Sequence, residues 1–244
     1  MGIVVALHSE ASALTSALVP RETLVSLADG CGLWLSGMGP DAAQRAALAL
    51  ADAGALALAT FGVAGALDAG LRSGTLICPQ RVLDDKGHVY VTDRDWRDRL
   101  YQRLFSTSLA SAFDLDLLSV SRPVFSVAEK IAVRERYQAA AVDMESAAVA
   151  QVAAERRLPF IALRAIVDER DDAIPEALQL AVDPWGRPRI PAMVAALCRH
   201  PPLLLRLPGL ALRMDKALRA LAAAASAAPG LQPAPTAHAV VRLS

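Results

Sequence analysis

The chain has 244 residues, 54% of them hydrophobic, which is enough for one domain with a large core. Its 25 lysine and arginine residues balance its 25 aspartate and glutamate residues, so no basic field favours a nucleic-acid partner. The three cysteines lie apart among apolar neighbours and the four histidines do not cluster, which indicates reduced thiols in the cytoplasm and argues against a disulfide framework or a metal site.

The first apolar run covers residues 3–7. No basic residues precede it and Glu10 follows it, so the run is typical of a buried strand and not of a signal peptide. A longer apolar region, residues 46–67, is interrupted by Asp52 and Gly54. It therefore predicts a helix, a turn and a strand instead of a membrane span.

The rest of the chain alternates between short apolar runs and segments with helical periodicity. Runs of strand length cover residues 3–7, 33–36, 57–61, 75–78, 124–127 and 160–167. Helical segments cover residues 41–53, 95–112, 145–157 and 210–225. Several runs are continuously apolar, as strands covered on both faces are, so the alternation predicts an α/β fold with a largely parallel sheet.

Polar or glycine-rich positions follow four of the predicted strands. Glu10 follows the first strand, SGMG (residues 36–39) the second and GVAG (residues 62–65) the third, while Asp168 closes the last. In a doubly wound sheet the ligand crevice lies outside the carboxyl ends of the strands. We therefore expect these positions to converge on one pocket.

Most of these positions also have a purely structural interpretation. Both glycine segments fit tight turns or close backbone packing, Asp168 fits a helix N-cap, and Glu145 fits a first-turn acid. Arg164 is different, because it lies in the middle of FIALRAIVD, where its guanidinium would be buried and would need an anionic partner. Asp143, Glu145 or a bound substrate could serve as that partner.

The stretch AVDMESAAVAQVAAERRLPFIALRAIVD, residues 141–168, resembles the nucleoside phosphorylase and methylthioadenosine/S-adenosylhomocysteine nucleosidase superfamily. ALHSE, SGMG and FGVAGALDAGLRSGTLICP extend this resemblance over residues 3–168. VDMESAAVA and the leucine-rich, proline-interrupted end most resemble the hopanoid-associated phosphorylases, which act on adenosylhopane. The resemblance implies a three-layer αβα fold with a central mixed, largely parallel sheet, a homo-oligomer, and cleavage of the N-glycosidic bond of an adenine nucleoside.

The resemblance also implies roles for particular residues. Cleavage needs an acid at the departing purine and a nucleophile beneath the sugar. Asp168 would be the acid near the purine N7, and Glu10 and Arg164 would orient the nucleophile. Glu145 would accept hydrogen bonds from the ribose hydroxyls. The remaining expected substrate-binding positions are Met144, Ser36, Gly37, Ala64, Gly65 and Phe125. No cofactor or metal is implied; the nucleophile is phosphate, as a co-substrate, or water.

Three other functions are compatible with parts of this pattern. A hydrolase of soluble nucleosides of the methylthioadenosine type would share the same residues. A non-catalytic nucleotide-binding domain on the same fold would be expected to lose the acid and the glutamate first, and the chain keeps both Asp168 and Glu10. An NAD-binding domain is disfavoured because no G-x-G-x-x-G follows the first strand.

The expected domain boundaries lie in the carboxyl-terminal region. We predict a catalytic domain over residues 1–200, an amphipathic segment over residues 201–228 and a mobile tail over residues 229–244. Leucines alternate with basic residues between residues 201 and 225, which suits either a terminal helix that covers the sheet or a segment at a membrane surface. A lipid-linked nucleoside substrate would favour the second, with peripheral contact at the inner face of the membrane.

Overall fold

The computed structural model describes residues 1–27, 30–173, 182–199 and 203–227. The strands of the described part are β1 (Gly2–Val5), β2 (Leu24–Ser26), β3 (Gly32–Leu35), β4 (Leu58–Ala66), β5 (Leu76–Ile77), β6 (Arg81–Asp84), β7 (Val89–Val91), β8 (Ser111–Ala112), β9 (Asp116–Ser119), β10 (Ala141–Asp143) and β11 (Phe160–Asp168). The helices are α1 (His8–Leu14), α2 (Pro40–Asp52), α3 (Arg94–Phe105), α4 (Val127–Tyr137), α5 (Ser146–Arg156), α6 (Ile190–Arg199) and α7 (Leu203–Ala227).

The strands form one mixed sheet around the long strand β4. Parallel pairing joins β3, β1, β4 and β11 side by side, and β2, β5 and β8 extend this part of the sheet. Beyond the end of β1, the last residues of β4 pair with β10 in antiparallel register. From there β9, β6 and β7 continue the sheet in that order.

Helices cover both faces of this sheet, because its strands are apolar on both sides. On one face α1, α3 and α7 contribute buried residues that include Ala11, Trp96 and Leu221. On the other face α2 and α5 pack against the sheet through small residues such as Ala43, Ala47 and Ala150. Alanine permits close helix-to-sheet and helix-to-helix contact, and the three-layer αβα architecture is confirmed.

The sequence located five of the eleven described strands, β1, β3, β4, β5 and β11, and two other predicted elements differ in the structure. Residues 124–127 were predicted to form a strand, and this prediction is wrong: Ser126 is the N-cap of α4, where its side chain and Glu129 form a capping box. The helix predicted over residues 95–112 ends at Phe105, and Ser111 and Ala112 form β8. The sequence did not predict strand β2, the hairpin of β6 and β7, the short strands β9 and β10, or helices α1, α4 and α6.

The carboxyl-terminal helix α7 contains the predicted helix over residues 210–225 but is longer and includes Pro208. Its second half contributes Ala217, Ala220, Leu221 and Ala224 to the core on the face of α1 and α3. None of the described helices is long and apolar enough to cross a bilayer. The predicted tail, residues 229–244, and the predicted boundaries at residues 200 and 228 lie outside the described residues.

Candidate active site

A cavity of about 530 Å³ opens at the carboxyl ends of β1, β4 and β11. Four acidic side chains line it: Glu10, Asp143, Glu145 and Asp168. The rest of its described wall is apolar and comes from α6, α7 and the segment before α4 as well as from the strands. The convergence that the sequence predicted for Glu10, GVAG and Asp168 is therefore present in the structure.

Glu10 is buried in the first turn of α1, directly after β1. Its Oε2 accepts hydrogen bonds from the backbone N–H groups of Ala6 and Leu7, both at 2.9 Å, and its Oε1 accepts one from Val63 at 2.8 Å. Burial raises the pKa of Glu10, while Arg164 and these three N–H groups oppose the shift. The carboxyl group thus ties the start of α1 to β4 and also reaches the cavity.

Arg164 lies in β11 with 1% of its surface exposed and does not line the cavity. Its Nη2 is 2.6 Å from Oδ2 of Asp143, and its Nη2 also donates a hydrogen bond of 3.0 Å to Oγ of Ser146. Burial opposes the charge of Arg164, but Asp143, Glu145 and Glu10 outweigh it and raise its pKa. Of the partners considered from sequence, Asp143 holds the close position, and Glu145 lies at 3.8 Å.

Gly62 in β4 makes room for the side chains of Glu10 and Arg164. A Cβ atom at this position would lie 2.6 Å from Cδ of Glu10 and 2.5 Å from Nη1 of Arg164. Contacts this short do not occur between side chains, so the two charged groups approach each other only because residue 62 has none. The first glycine of GVAG, Gly62, is therefore required because the side chains of Glu10 and Arg164 pack closely against the strand.

Glu145 is the N-cap residue of α5 and faces the cavity. Its Oε1 accepts a hydrogen bond of 2.8 Å from the backbone N–H of Gly39, so the SGMG turn touches the site through its last glycine. Burial, opposed by Arg164 and reinforced by Asp143, raises the pKa of Glu145 to about 7. The neighbouring Met144 also lines the cavity.

Asp168 is the last residue of β11 and is 4% exposed. Burial raises the pKa of its carboxyl group, although the ammonium group of Lys130 opposes the shift. Lys130 donates a hydrogen bond to Oδ2 of Asp168. Gly65 faces this carboxyl group, since a Cβ atom there would lie 3.0 Å from Oδ2. A partly desolvated carboxyl group of this kind can act as a general acid near neutral pH.

The predicted substrate-binding residues fall into two groups. Met144, Glu145, Ala64, Gly65 and Phe125 line the cavity. Ser36 and Gly37 do not: the Ser36 hydroxyl donates hydrogen bonds to the backbone oxygens of Val5 and Gly37, and Gly37 packs against Trp185. The next residue of that turn, Met38, lines the cavity instead. The roles assigned to all these residues stay predictions.

Sequence reasoning missed several residues of the site. It did not single out Lys130, because a lysine on an amphipathic helix is usually solvated and nothing local marks this one as buried. It also missed the apolar wall formed by Met193 of α6 and by Leu207, Leu210 and Met214 of α7. The helical spacing of these leucines indicated an apolar face but not what that face covers. Among the described residues no group of histidine, cysteine and acidic side chains could hold a metal ion.

Comparison with known proteins identifies the fold. The family model of the Phosphorylase superfamily matches residues 28–199. The structure of a 5′-methylthioadenosine/S-adenosylhomocysteine nucleosidase from Campylobacter jejuni aligns with a TM-score of 0.68 and 17% identity, covering 94% of this chain and 96% of that one. Futalosine hydrolase from Helicobacter pylori aligns with a TM-score of 0.67 and 15% identity, covering 94% and 95% of the two chains.

An S-adenosylhomocysteine nucleosidase from Streptococcus pyogenes, solved in complex with 5-methylthiotubericidin, is 22% identical. It aligns with a TM-score of 0.60 and covers 70% of this chain and 84% of that one. No curated protein sequence matches the chain. At these identities the structural matches establish a shared fold.

Proposed function

The chain belongs to the Phosphorylase superfamily, and on this premise we propose that it cleaves the N-glycosidic bond of an adenine nucleoside and releases adenine. The neighbours in fold are named as nucleosidases and a futalosine hydrolase, and one of them holds a nucleoside analogue. The observation that carries the proposal is the placement of Glu10 and Asp168 in one cavity, both buried and both against strand β4.

The two carboxyl groups face different points of β4. Glu10 lies next to Gly62, and Asp168 lies next to Gly65. These two glycines are three residues apart, which along a strand is about 10 Å. A ribose ring fits between a nucleophile held near Glu10 and a purine held near Asp168. Glu145 and Met144 line the same cavity, where a carboxylate can accept hydrogen bonds from ribose hydroxyls and a thioether can pack against the sugar.

The proposed mechanism assigns one task to each end of the cavity. As the bond to the purine lengthens, negative charge grows on the base and positive charge on the sugar. The protonated Asp168 donates its proton to the base, and the carboxylates of Glu10 and Glu145 stabilise the cationic sugar. Arg164 holds Asp143 and the first turn of α5 in place beneath the sugar, so it acts as a positioning residue.

The nucleophile is phosphate or water, and the sugar product distinguishes them. The sequence resemblance favours phosphate, whereas the described residues that line the cavity include no lysine or arginine. The test of the proposed function is to incubate the purified protein with adenosine, methylthioadenosine and longer 5′-alkylthio adenosines, with and without phosphate. We expect free adenine, accompanied by ribose 1-phosphate or by free ribose; no adenine from any of these nucleosides would contradict the proposed function.

We further propose that the substrate carries a large apolar group on the 5′ carbon, as adenosylhopane does. The support is the apolar wall of the cavity, to which α7 contributes Leu207, Leu210, Ala211 and Met214 and α6 contributes Met193. A wall of this kind gains free energy by removing apolar substrate surface from water, about 0.8 kcal/mol for each buried CH₂ group.

Replacement of Leu210 by aspartate tests this wall. We expect Leu210→Asp to raise KM for a long 5′-alkylthio adenosine by at least about tenfold, since it places a charge where a few CH₂ groups are buried. KM for adenosine should change much less. The matched control is Leu212→Asp on the same helix, because Leu212 is 65% exposed and does not line the cavity. Equal effects of Leu210→Asp on both substrates would contradict an apolar 5′ group.

A cytoplasmic homo-oligomer that touches the membrane surface peripherally is also part of the proposal. The first half of α7 carries Leu205, which is 87% exposed, Leu212, and the exposed Arg206. The neighbouring Leu207 and Leu210 line the cavity, so an exposed apolar surface lies beside the place where a lipid-linked substrate would enter. In contrast, Arg213 pairs with Asp172 and Arg219 pairs with Asp215. These ion pairs reduce the positive charge that the sequence led us to expect for a membrane surface.

We expect the full-length protein to sediment with anionic vesicles at low salt, and to do so less at high salt. The double variant Leu205→Asp/Leu212→Asp should lose at least half of this binding. Leu56→Asp is the control, because Leu56 is 74% exposed but precedes β4 at the opposite end of the sheet. Deletion of the carboxyl-terminal region is not a usable test, since Ala217, Leu221 and Ala224 belong to the core. Identical binding of all three proteins would contradict this contact.

A further inference from the structure

Lys130 is a fully buried lysine beside the proposed acid. Its exposure is 0%, and its ammonium group donates hydrogen bonds to Oδ2 of Asp168, to the backbone oxygen of Glu169 at 2.7 Å and to that of Asp172 at 3.0 Å. A lysine ammonium has three donors, so all three are used. The acceptors come from the end of β11 and the turn that follows it, whereas Lys130 comes from α4.

The hydrogen bonds of Lys130 join three parts of the cavity wall. Phe125, just before α4, lines the cavity, and Asp168 ends β11. In the turn after β11, the carboxylate of Asp172 accepts a hydrogen bond of 2.8 Å from Nε of Arg213 on α7, next to the cavity residue Met214. Lys130 therefore connects the segment before α4, the acid and the apolar wall.

Such an arrangement is costly as a purely structural link. A buried ammonium loses its hydration, and apolar side chains of similar volume stabilise a core at least as well as a buried ion pair. A buried charge that contacts an ionisable group in a cavity is more typical of a functional site. The hydrogen bond of Lys130 engages one carboxyl oxygen of Asp168, Oδ2, and not Oδ1.

We propose that Lys130 is a positioning residue for the reaction: it fixes the carboxyl group of Asp168 by Oδ2 and directs Oδ1 to the purine. This inference rests on the proposed cleavage of an adenine nucleoside. It predicts that Lys130 matters only when the leaving group needs a proton, since the sugar and the nucleophile are held by other residues.

The charges around Asp168 decide how its proton responds to pH. The charged groups near it are Lys130 on α4, Glu169 and Asp172 in the turn, and Arg213 on α7, with Arg72 paired to Glu169. Lys130 stabilises the carboxylate, so its removal should raise the pKa of Asp168 further. Because the acid must be protonated to act, the pH above which activity is lost should move upward when Lys130 is replaced by methionine.

The experiment compares two leaving groups in the full-length protein. Adenine must be protonated as it departs, whereas para-nitrophenolate departs without a proton. We expect Lys130→Met to lower kcat for the adenine nucleoside by about 100-fold, the loss that a misplaced catalytic group causes, with KM little changed. Turnover of para-nitrophenyl riboside should change less than about threefold. The alkaline limb of the pH profile for the nucleoside should move to higher pH.

Two further variants make the outcome decisive. Lys130→Arg keeps the charge, so we expect a smaller loss and an alkaline limb that stays in place; it also serves if Lys130→Met does not fold. Lys86→Met is the matched control, because Lys86 is exposed in the turn between β6 and β7. Equal losses for both leaving groups, or no loss for the nucleoside, would overturn the inference while leaving the proposed function intact. A wild-type protein that releases neither adenine nor nitrophenol would overturn both.

Discussion

Asp168→Asn is expected to lower the release of adenine by about two to four orders of magnitude, because an amide cannot donate a carboxylic proton to the departing base. The side chain keeps its size, so the cavity and β11 should stay as they are. Turnover of para-nitrophenyl riboside, which needs no acid, should fall far less. In the wild-type protein, activity on the nucleoside should decrease as the pH rises through the raised pKa of Asp168, since only the protonated form is active.

Glu169→Gln is the matched control for this substitution. Glu169 follows Asp168 directly and pairs with Arg72 at 2.7 Å, but its side chain does not line the cavity. The same exchange of a carboxyl for an amide group should therefore leave adenine release within about twofold of wild type, because a partly exposed pair contributes little. Near-normal turnover of the nucleoside by Asp168→Asn would remove Asp168 as the acid.

Arg164→Met is expected to cost about 3–5 kcal/mol of the free energy of unfolding, because it leaves the buried carboxylate of Asp143 without its cation. The guanidinium is 2.6 Å from Asp143 and also donates hydrogen bonds to Ser146. Chemical denaturation near neutral pH measures the loss.

Two comparisons separate this effect from simple loss of a side chain. Arg156→Met, in the last turn of α5, removes an exposed pair with Asp52 and should cost no more than about 1 kcal/mol. Adding Asp143→Asn to Arg164→Met should recover part of the lost stability, because it removes the unpaired charge. If Arg164→Met and Arg156→Met lower the free energy of unfolding equally, the buried pair of Arg164 and Asp143 does not stabilise the fold as its geometry indicates.

The sequence by itself determined the fold class and the position of the proposed acid. Continuous apolar runs such as residues 160–167 predicted strands covered on both faces, and α2, α5 and the sheet agree with that pattern. Glu10 and Asp168 could be placed in one pocket because the carboxyl ends of parallel strands meet at one edge of the sheet. The resemblance found in residues 141–168 agrees with the family match over residues 28–199.

Only the tertiary structure decided which groups meet inside this pocket. Arg164 had two candidate partners within the chain, Asp143 and Glu145, and the choice of Asp143 depends on how β10 enters the sheet beside β4. The same holds for Ser36, whose hydroxyl turns back to the backbone of β1.

Lys130 shows most clearly why these contacts could not be predicted from the sequence. It lies 38 residues from Asp168 along the chain, in a helix that the sequence did not predict, and helical periodicity describes only which face of an element is apolar. A lysine becomes buried where distant segments supply enough acceptors for its charge. Here these are one carboxylate and two backbone oxygens of the end of β11 and its turn, and their convergence is a property of the folded chain.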